Sequence, residues 1–150
     1  MMLLSKRALL AVAAVVDVAM HARPSPVAAK ALASRHNLPP RHLETLLQSL
    51  VRANILKGVR GPKGGYELAR ERRRITMGEI VRVSILSEES DDATAADSSD
   101  LITSVVTPIV TEAGKSLMSA LEAVTVEELC KHSQREGVFK ESVGAVDFTI

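Results

Sequence analysis

The apolar positions change period along the chain, and each change predicts an element. Residues 3–22 contain no Gly or Pro and place Ala, Leu and Val on nearly every side, the pattern of a helix buried against more than one neighbour. Arg23-Pro-Ser-Pro26 ends it, because two prolines in three residues cannot continue a helix. A short second helix is predicted over residues 27–36, with Val27, Ala28, Ala31 and Leu32 inward, followed by a tight turn at Asn37-Leu-Pro-Pro40. Residues 41–53 predict a third helix, with Leu43, Leu46, Leu47 and Leu50 at spacings of three and four and Arg41, Glu44, Thr45, Gln48 and Arg52 opposite. The period then falls towards two over residues 55–60 and 65–69, two short strands joined by a turn over 61–65. Thr76-Met-Gly-Glu79 has the form of a capping box, in which hydroxyl and carboxylate satisfy free N–H groups at a helix start, and residues 80–86 continue that helix.

Residues 87–100 contain only Ser, Asp, Glu, Ala and Thr and predict a solvated linker. Beyond it Val106, Val110, Ala113, Leu117, Ala120 and Val124 recur at steps of four and three, a coiled-coil-like seam. Thr107-Pro108 sits early in this segment, so the helix either begins there, with Thr107 as cap, or kinks there. A second capping box, Thr125-Val-Glu-Glu128, opens a last short helix to about Glu136. The expected organisation is a folded unit over residues 1–86, an acidic linker over 87–100, a dimerisation helix and short helix over 101–136, and a tail over 137–150.

Composition adds three points. Aromatic residues are 2% of the 150-residue chain, so the core must be built from aliphatic side chains, which suits packed helices. The net charge of +1 hides an asymmetry: residues 1–86 carry +10 and residues 87–150 carry −9. A basic first half is the footprint of a protein that meets a polyanion. Cys130 is the only cysteine, which precludes an intramolecular disulfide and fits a cytoplasmic setting. The apolar start after Lys6 and Arg7 imitates a signal peptide, but Asp17 interrupts it and it is shorter than the roughly 20 residues of a membrane span. A buried first helix is the expectation, with no membrane contact.

Two short helices, a tight turn and a glycine-tipped hairpin, in that order, describe a winged helix-turn-helix. Its second helix enters the major groove with polar side chains towards base edges, and its wing reaches the flanking backbone. Arg60, Lys63 and the Gly64 and Gly65 amides are then candidate phosphate or minor-groove contacts. The strings Leu38-Pro-Pro-Arg-His-Leu-Glu44, Leu50-Val-Arg-Ala-Asn-Ile-Leu56, Val59-Arg-Gly-Pro-Lys-Gly-Gly-Tyr-Glu-Leu-Ala69 and Ile75-Thr-Met-Gly-Glu-Ile80 resemble the Rrf-two (Rrf2) family of bacterial transcriptional regulators. The similarity runs from Ser5-Lys6 to residues 125–129. It implies a mostly α fold with a two-stranded wing and a long C-terminal dimerisation helix, acting as a homodimeric repressor on a pseudo-palindromic operator of double-stranded DNA. The family's recognition-helix positions fall on Arg41, His42, Glu44 and Thr45, and its wing arginine on Arg60. Members usually carry Gln where this chain has Thr45, so base preference does not carry over.

Sensing members of the family hold an iron–sulfur cluster on three cysteines between the winged unit and the dimer helix. Residues 87–100 contain none, so no cofactor is expected, and the chain resembles the cluster-free branch, whose effectors are small molecules, partner proteins or reactive cysteines. Several residues keep two readings. Glu44 accepts from a cytosine amino group or pairs with Arg41, and His42 points to DNA or packs at the helix start. Tyr66 is expected to anchor the hairpin rather than stack on a base, Arg72–Arg74 to be a solvated charge run, and Cys130 to be a buried inert thiol. The alternative function is a winged-helix adaptor that grips proteins. An enzyme is the weakest reading, because the sequence offers no nucleophile–base–orienter set and no phosphate loop.

Overall fold

The computed structural model describes residues 3–91 and 99–139. In chain order these form α1 (Lys6–His21), α2 (Ala29–Arg35), α3 (Pro40–Arg52), β1 (Leu56–Val59), β2 (Gly65–Leu68), α4 (Met77–Asp91), α5 (Thr107–Glu122) and α6 (Val126–Glu136), with a single 3-10 turn at Arg72–Arg74. The architecture is mostly helical with a two-stranded antiparallel wing, as expected.

Helix α1 is the centre of the core. Ser5 caps it, its hydroxyl accepting the Ala8 N–H at 3.1 Å, and Ala8, Ala11, Ala14, Val15 and Val18 are fully buried. Its small side chains let α4, α6 and β2 approach from different sides, which explains why it is apolar nearly all round. Helix α2 starts at Ala29, two residues later than the sequence pattern suggested, because Val27 instead makes a single bridge to the wing: Val27 N–H donates to the Tyr66 carbonyl at 2.9 Å and Tyr66 N–H returns the bond at 2.8 Å. The change of phase leaves Ala28 exposed and buries Ala33 in its place. Asn37 takes the left-handed conformation (φ 55°) in the turn to α3, where a short polar side chain is tolerated.

Helix α4 opens with the expected capping box: Glu79 N–H to Thr76 Oγ1 at 3.2 Å, Thr76 N–H to Glu79 Oε2 at 3.0 Å. It runs on to Asp91, so residues 87–91 are helix rather than linker; no Gly or Pro occurs between residues 79 and 107 to stop it. Residues 92–98 of the expected linker and residues 140–150 of the expected tail lie outside the described residues. The chain is already helical before Pro108. Over Ile102–Val106 the backbone widens into a π turn, and the Thr107 N–H reaches back to the Ile102 carbonyl. A π turn thus stands immediately before Pro108, whose ring removes one backbone donor from the helical ladder.

Helix α6 departs most from the expected division. Its capping box is present, but the helix folds back on α1, with Val126 fully buried and Cys130 only 2% exposed. Val126 N–H donates to the Ile75 carbonyl at 2.9 Å and Met77 N–H to the Val124 carbonyl at 2.8 Å, so the two capped helix starts form a bridge at Thr76 and Thr125. Helix α6 is therefore packed on α1 and tied to the start of α4. The start of α4 also lies close to the end of α5: a Cβ on Gly78 would meet Glu122 Cγ at 2.4 Å.

Candidate nucleic-acid interface

Helix α3 sets its leucines against its polar residues, with Val51 the one large apolar side chain of the helix left exposed. Leu43, Leu46, Leu47 and Leu50 have no exposed surface, whereas Arg41, His42, Glu44, Thr45, Gln48 and Arg52 are all exposed. Burying four leucines fixes the rotation of the helix, and that rotation decides which side chains are offered outward. His42, left open between two readings, is on the outward side.

The wing follows directly. Strands β1 and β2 pair with Leu56 opposite Leu68 and Val59 opposite Gly65, and the cross-strand pair Lys57–Glu67 closes at 2.9 Å. At the tip Gly61 adopts φ 117°, a conformation open to glycine and strained for other residues. Gly64 N–H donates to the Gly61 carbonyl at 2.9 Å, and a Cβ there would lie 2.2 Å from the Val59 carbonyl oxygen. A Cβ on Gly65 would lie 2.3 Å from the Val27 carbonyl oxygen. Both glycines thus answer to crowding inside the protomer, and the Gly64 amide, expected to meet a phosphate, is spent on the turn. Arg60 and Lys63 remain exposed at the tip.

Tyr66 joins the parts. Its backbone is bonded to Val27 at the head of α2, and its phenol is pushed above its ordinary range by burial first and by the nearby Glu44 carboxylate second. Tyr66 is half-buried against the core while its backbone holds the wing to the segment before α2, which agrees with the anchoring role expected of it. Of the arginine run, Arg72 turns inward, donating to the Ala19 carbonyl at 2.9 Å. Arg73 pairs with Glu71 at 2.8 Å, and Arg74 is exposed. Cys130 is buried, and burial raises its thiol above the ordinary range despite the charge and hydrogen bond of Arg72; a protonated thiol is a poor nucleophile.

A cluster that sequence reading passed over holds this assembly together. Asp17, read only as an interruption of the apolar run, is fully buried. Arg35 Nε and Nη2 donate to its two oxygens at 2.8 and 2.5 Å. His36 Nε2 lies 2.9 Å from Oδ2, and His21 Nδ1 lies 3.0 Å from Oδ1 and 2.9 Å from the Asp17 carbonyl. Burial alone would raise this carboxyl; the hydrogen bond and charge of Arg35, with His21 and His36, outweigh it and hold the group below the ordinary carboxylate range. The cluster ties the end of α2 to α1, and so sets where the turn delivers α3. Its visible signals were the Asp17–His21 spacing of four and the adjacent Arg35-His36 at a helix end.

The donors needed for an iron–sulfur cluster do not fit this chain. Such clusters are held chiefly by thiolates, and the one cysteine, Cys130, is buried against α1 rather than placed between α4 and α5. Among the described residues no three His, Cys, Asp or Glu side chains gather as a metal site, and no helix is long and apolar enough to cross a membrane.

Comparison with known proteins places this geometry. The Rrf2 family, described as an iron-dependent transcriptional regulator, matches residues 4–132. The HTH-type transcriptional regulator IscR of Vibrio atlanticus is 31% identical over 137 residues, covering 89% of this chain and 78% of that protein. The Synechocystis protein slr0846 is 41% identical over 70 residues, 47% of this chain, and the match spans about half (48%) of that protein's length. Among solved structures, T. potens IscR superposes with a TM-score of 0.67 at 32% identity, covering 88% of each chain. The winged architecture and the family match agree over most of the chain: it belongs to the Rrf2 family of transcriptional regulators.

Proposed function

We propose that the chain is a cytoplasmic, sequence-specific DNA-binding repressor that works as a homodimer on a pseudo-palindromic operator without an iron–sulfur cluster. In this reading Arg41, His42, Glu44, Thr45 and Gln48 meet base edges in the major groove. Arg60 and Lys63 meet the sugar-phosphate backbone beside it, and Gly64 and Gly65 give the wing its shape. The observation that carries the reading is the split of α3, with four leucines sealed inside and a polar row outside, next to a wing tip carrying two exposed cations. The homodimer is supported by α5 and the turn before it: Val106 at the end of the π turn and Val110 on α5 are 44% and 63% exposed, and Ala113 and Ala120 are exposed on the same helix as Val110. Leu117 is partly covered, and Val124, just beyond the helix end, packs back towards α4 through its carbonyl. The effector is a small molecule or a partner protein.

The test is duplex binding by the full chain. A genomic selection should return an inverted repeat with half-sites on one face of the duplex, and affinity should fall steeply as salt rises. Arg41→Ala and Arg60→Ala should each weaken binding by about 1–3 kcal/mol, the first also relaxing sequence preference. Duplex affinity unchanged in both variants would favour a protein-binding adaptor instead.

A further inference from the structure

We propose that Gly78 is a positioning residue for operator choice. It lets the first turn of α4 lie directly against the last turn of α5, and that joint fixes how far apart a dimer holds its two copies of α3. The half-site spacing the protein accepts is thereby set at Gly78. The proposal rests on the DNA-binding homodimer reading above and adds the residue that sets the spacing.

Glycine inside a helix is less favourable than alanine, yet Gly78 is buried in the first turn of α4. Its φ is not positive, so no left-handed turn requires it. Close approach does. A Cβ there would lie 2.4 Å from Glu122 Cγ, and 2.9 and 3.0 Å from the Glu122 backbone N and Cα. A side-chain tip can swing aside, but a helix backbone moves only with its helix. Met77 N–H donates to the Val124 carbonyl at 2.8 Å, and Arg82, one turn further along α4, pairs with Glu122. Three contacts thus clamp the end of α5 to the start of α4.

The other end of α5 is turned outward. Met118 and Leu121 still pack against the core, but beyond them a cavity of about 380 Å³ opens between Arg82 on α4 and Thr111, Gly114 and Lys115 on α5. Residues 99–113 are exposed throughout. Helix α5 is therefore a lever: Val110, in the apolar stretch offered to a partner, lies about 18 Å along the helix from Glu122 at 1.5 Å per residue. The angle at the joint places each winged unit relative to the partner contact, and two-fold symmetry applies that angle twice. Half-sites are read about one helical turn apart, and each added base pair moves them by about 3.4 Å. A small opening of the joint, enlarged along the lever and doubled, changes which spacer fits.

The experiment keeps the half-site recovered by genomic selection and varies only the spacer, one base pair at a time. Duplex affinity is measured for the full chain as wild type, Gly78→Ala, Glu122→Ala and Ile80→Val. The wild type should show one sharp spacer optimum. Gly78→Ala should bind that spacer about tenfold more weakly, the usual effect of one lost base contact, and favour another, with affinity for a single half-site unchanged. Glu122→Ala removes both Cγ and the Arg82 partner at an exposed position, so it decides the matter where Gly78→Ala does not fold; its spacer optimum should broaden. Ile80→Val trims the buried side of the same helix without crowding the joint, and should lose stability while keeping the wild-type spacer. Gly78→Ala and Glu122→Ala with the wild-type optimum, or Ile80→Val shifted as far as they are, would overturn the proposal alone. A wild type that prefers no inverted repeat at any spacing would overturn the homodimer reading and the proposal with it.

Discussion

Helices α3 and α5 are both amphipathic and of similar length, 13 and 16 residues, yet the chain treats them oppositely. The apolar side of α3 is sealed, with Leu43, Leu46, Leu47 and Leu50 without exposed surface, whereas on α5 Ile109 and Val110 stay 67% and 63% exposed. A helix whose apolar side is satisfied within its own protomer has only its polar side left to offer. A helix whose apolar side is unsatisfied asks for another apolar surface. On the reading proposed above, the same pattern of side chains serves a DNA-facing element in one half and an association element in the other, and the difference in burial is what supports that division.

Core truncation is the strongest way to break that contrast. Leu47→Ala should cost about 2–5 kcal/mol, through lost transfer energy and the cavity left behind, read as a lower urea midpoint. Val110→Ala should leave the stability of the isolated protomer nearly unchanged and shift the sedimentation equilibrium towards monomer. If Val110→Ala lowered protomer stability as much as Leu47→Ala, α5 would belong to the core of its own chain.

The next largest effect tests what positions α3. Asp17→Asn removes the charge that Arg35 pairs with. Deleting one member of a buried pair costs several kcal/mol, and because the Arg35 side chain is 34% exposed solvent screening reduces this to about 2–3 kcal/mol. The folded carboxyl of Asp17 lies below its ordinary value. Its stabilising contribution is therefore complete above the unfolded value of about 3.9 and is lost as pH falls through the folded one. Chemical denaturation across pH 2–7 should show the wild type losing this contribution below about pH 4 and Asp17→Asn lacking that part of the acid limb. Identical acid limbs would show that the cluster does not anchor α2 to α1.

These two regions also differ in how legible they were in the sequence. The outward row and inward leucines of α3 lie within one helix, where a spacing of three and four places every side chain on a face. The wing was readable from its glycines, although their purpose was not. Gly64 and Gly65 are required by the Val59 and Val27 carbonyls, contacts that exist only after the hairpin has folded against α2. The Asp17 cluster needs Arg35 and His36, 18 and 19 residues away on another helix, and no local period reports such a pairing. The return of α6 was hidden for the same reason. Cys130 and Val126 look like any short amphipathic helix until Ile75, far back in the chain, accepts the Val126 N–H. Long-range partners, more than local propensity, separate what was read from what was missed.

The smallest effect sharpens the comparison most. Thr76 and Thr125 cap α4 and α6 in the same way, each hydroxyl accepting the N–H three residues on at 3.2 Å, and the two threonines sit side by side as a bridge. Replacing either by Ala should cost about 1 kcal/mol, the usual worth of such a cap. If α6 is part of the winged unit, the two caps share one local structure, and residues in contact are not expected to act independently. The double variant should then differ from the sum of the single ones by about 0.5 kcal/mol or more, measured by urea denaturation of all four chains. If instead α6 folded with α5, loss of the Thr125 cap would leave α4 undisturbed and the two costs would simply add. An additive cycle would return α6 to the association half of the molecule and move the border between a self-satisfied core and a partner-seeking helix from the ends of α5 back to the end of α4.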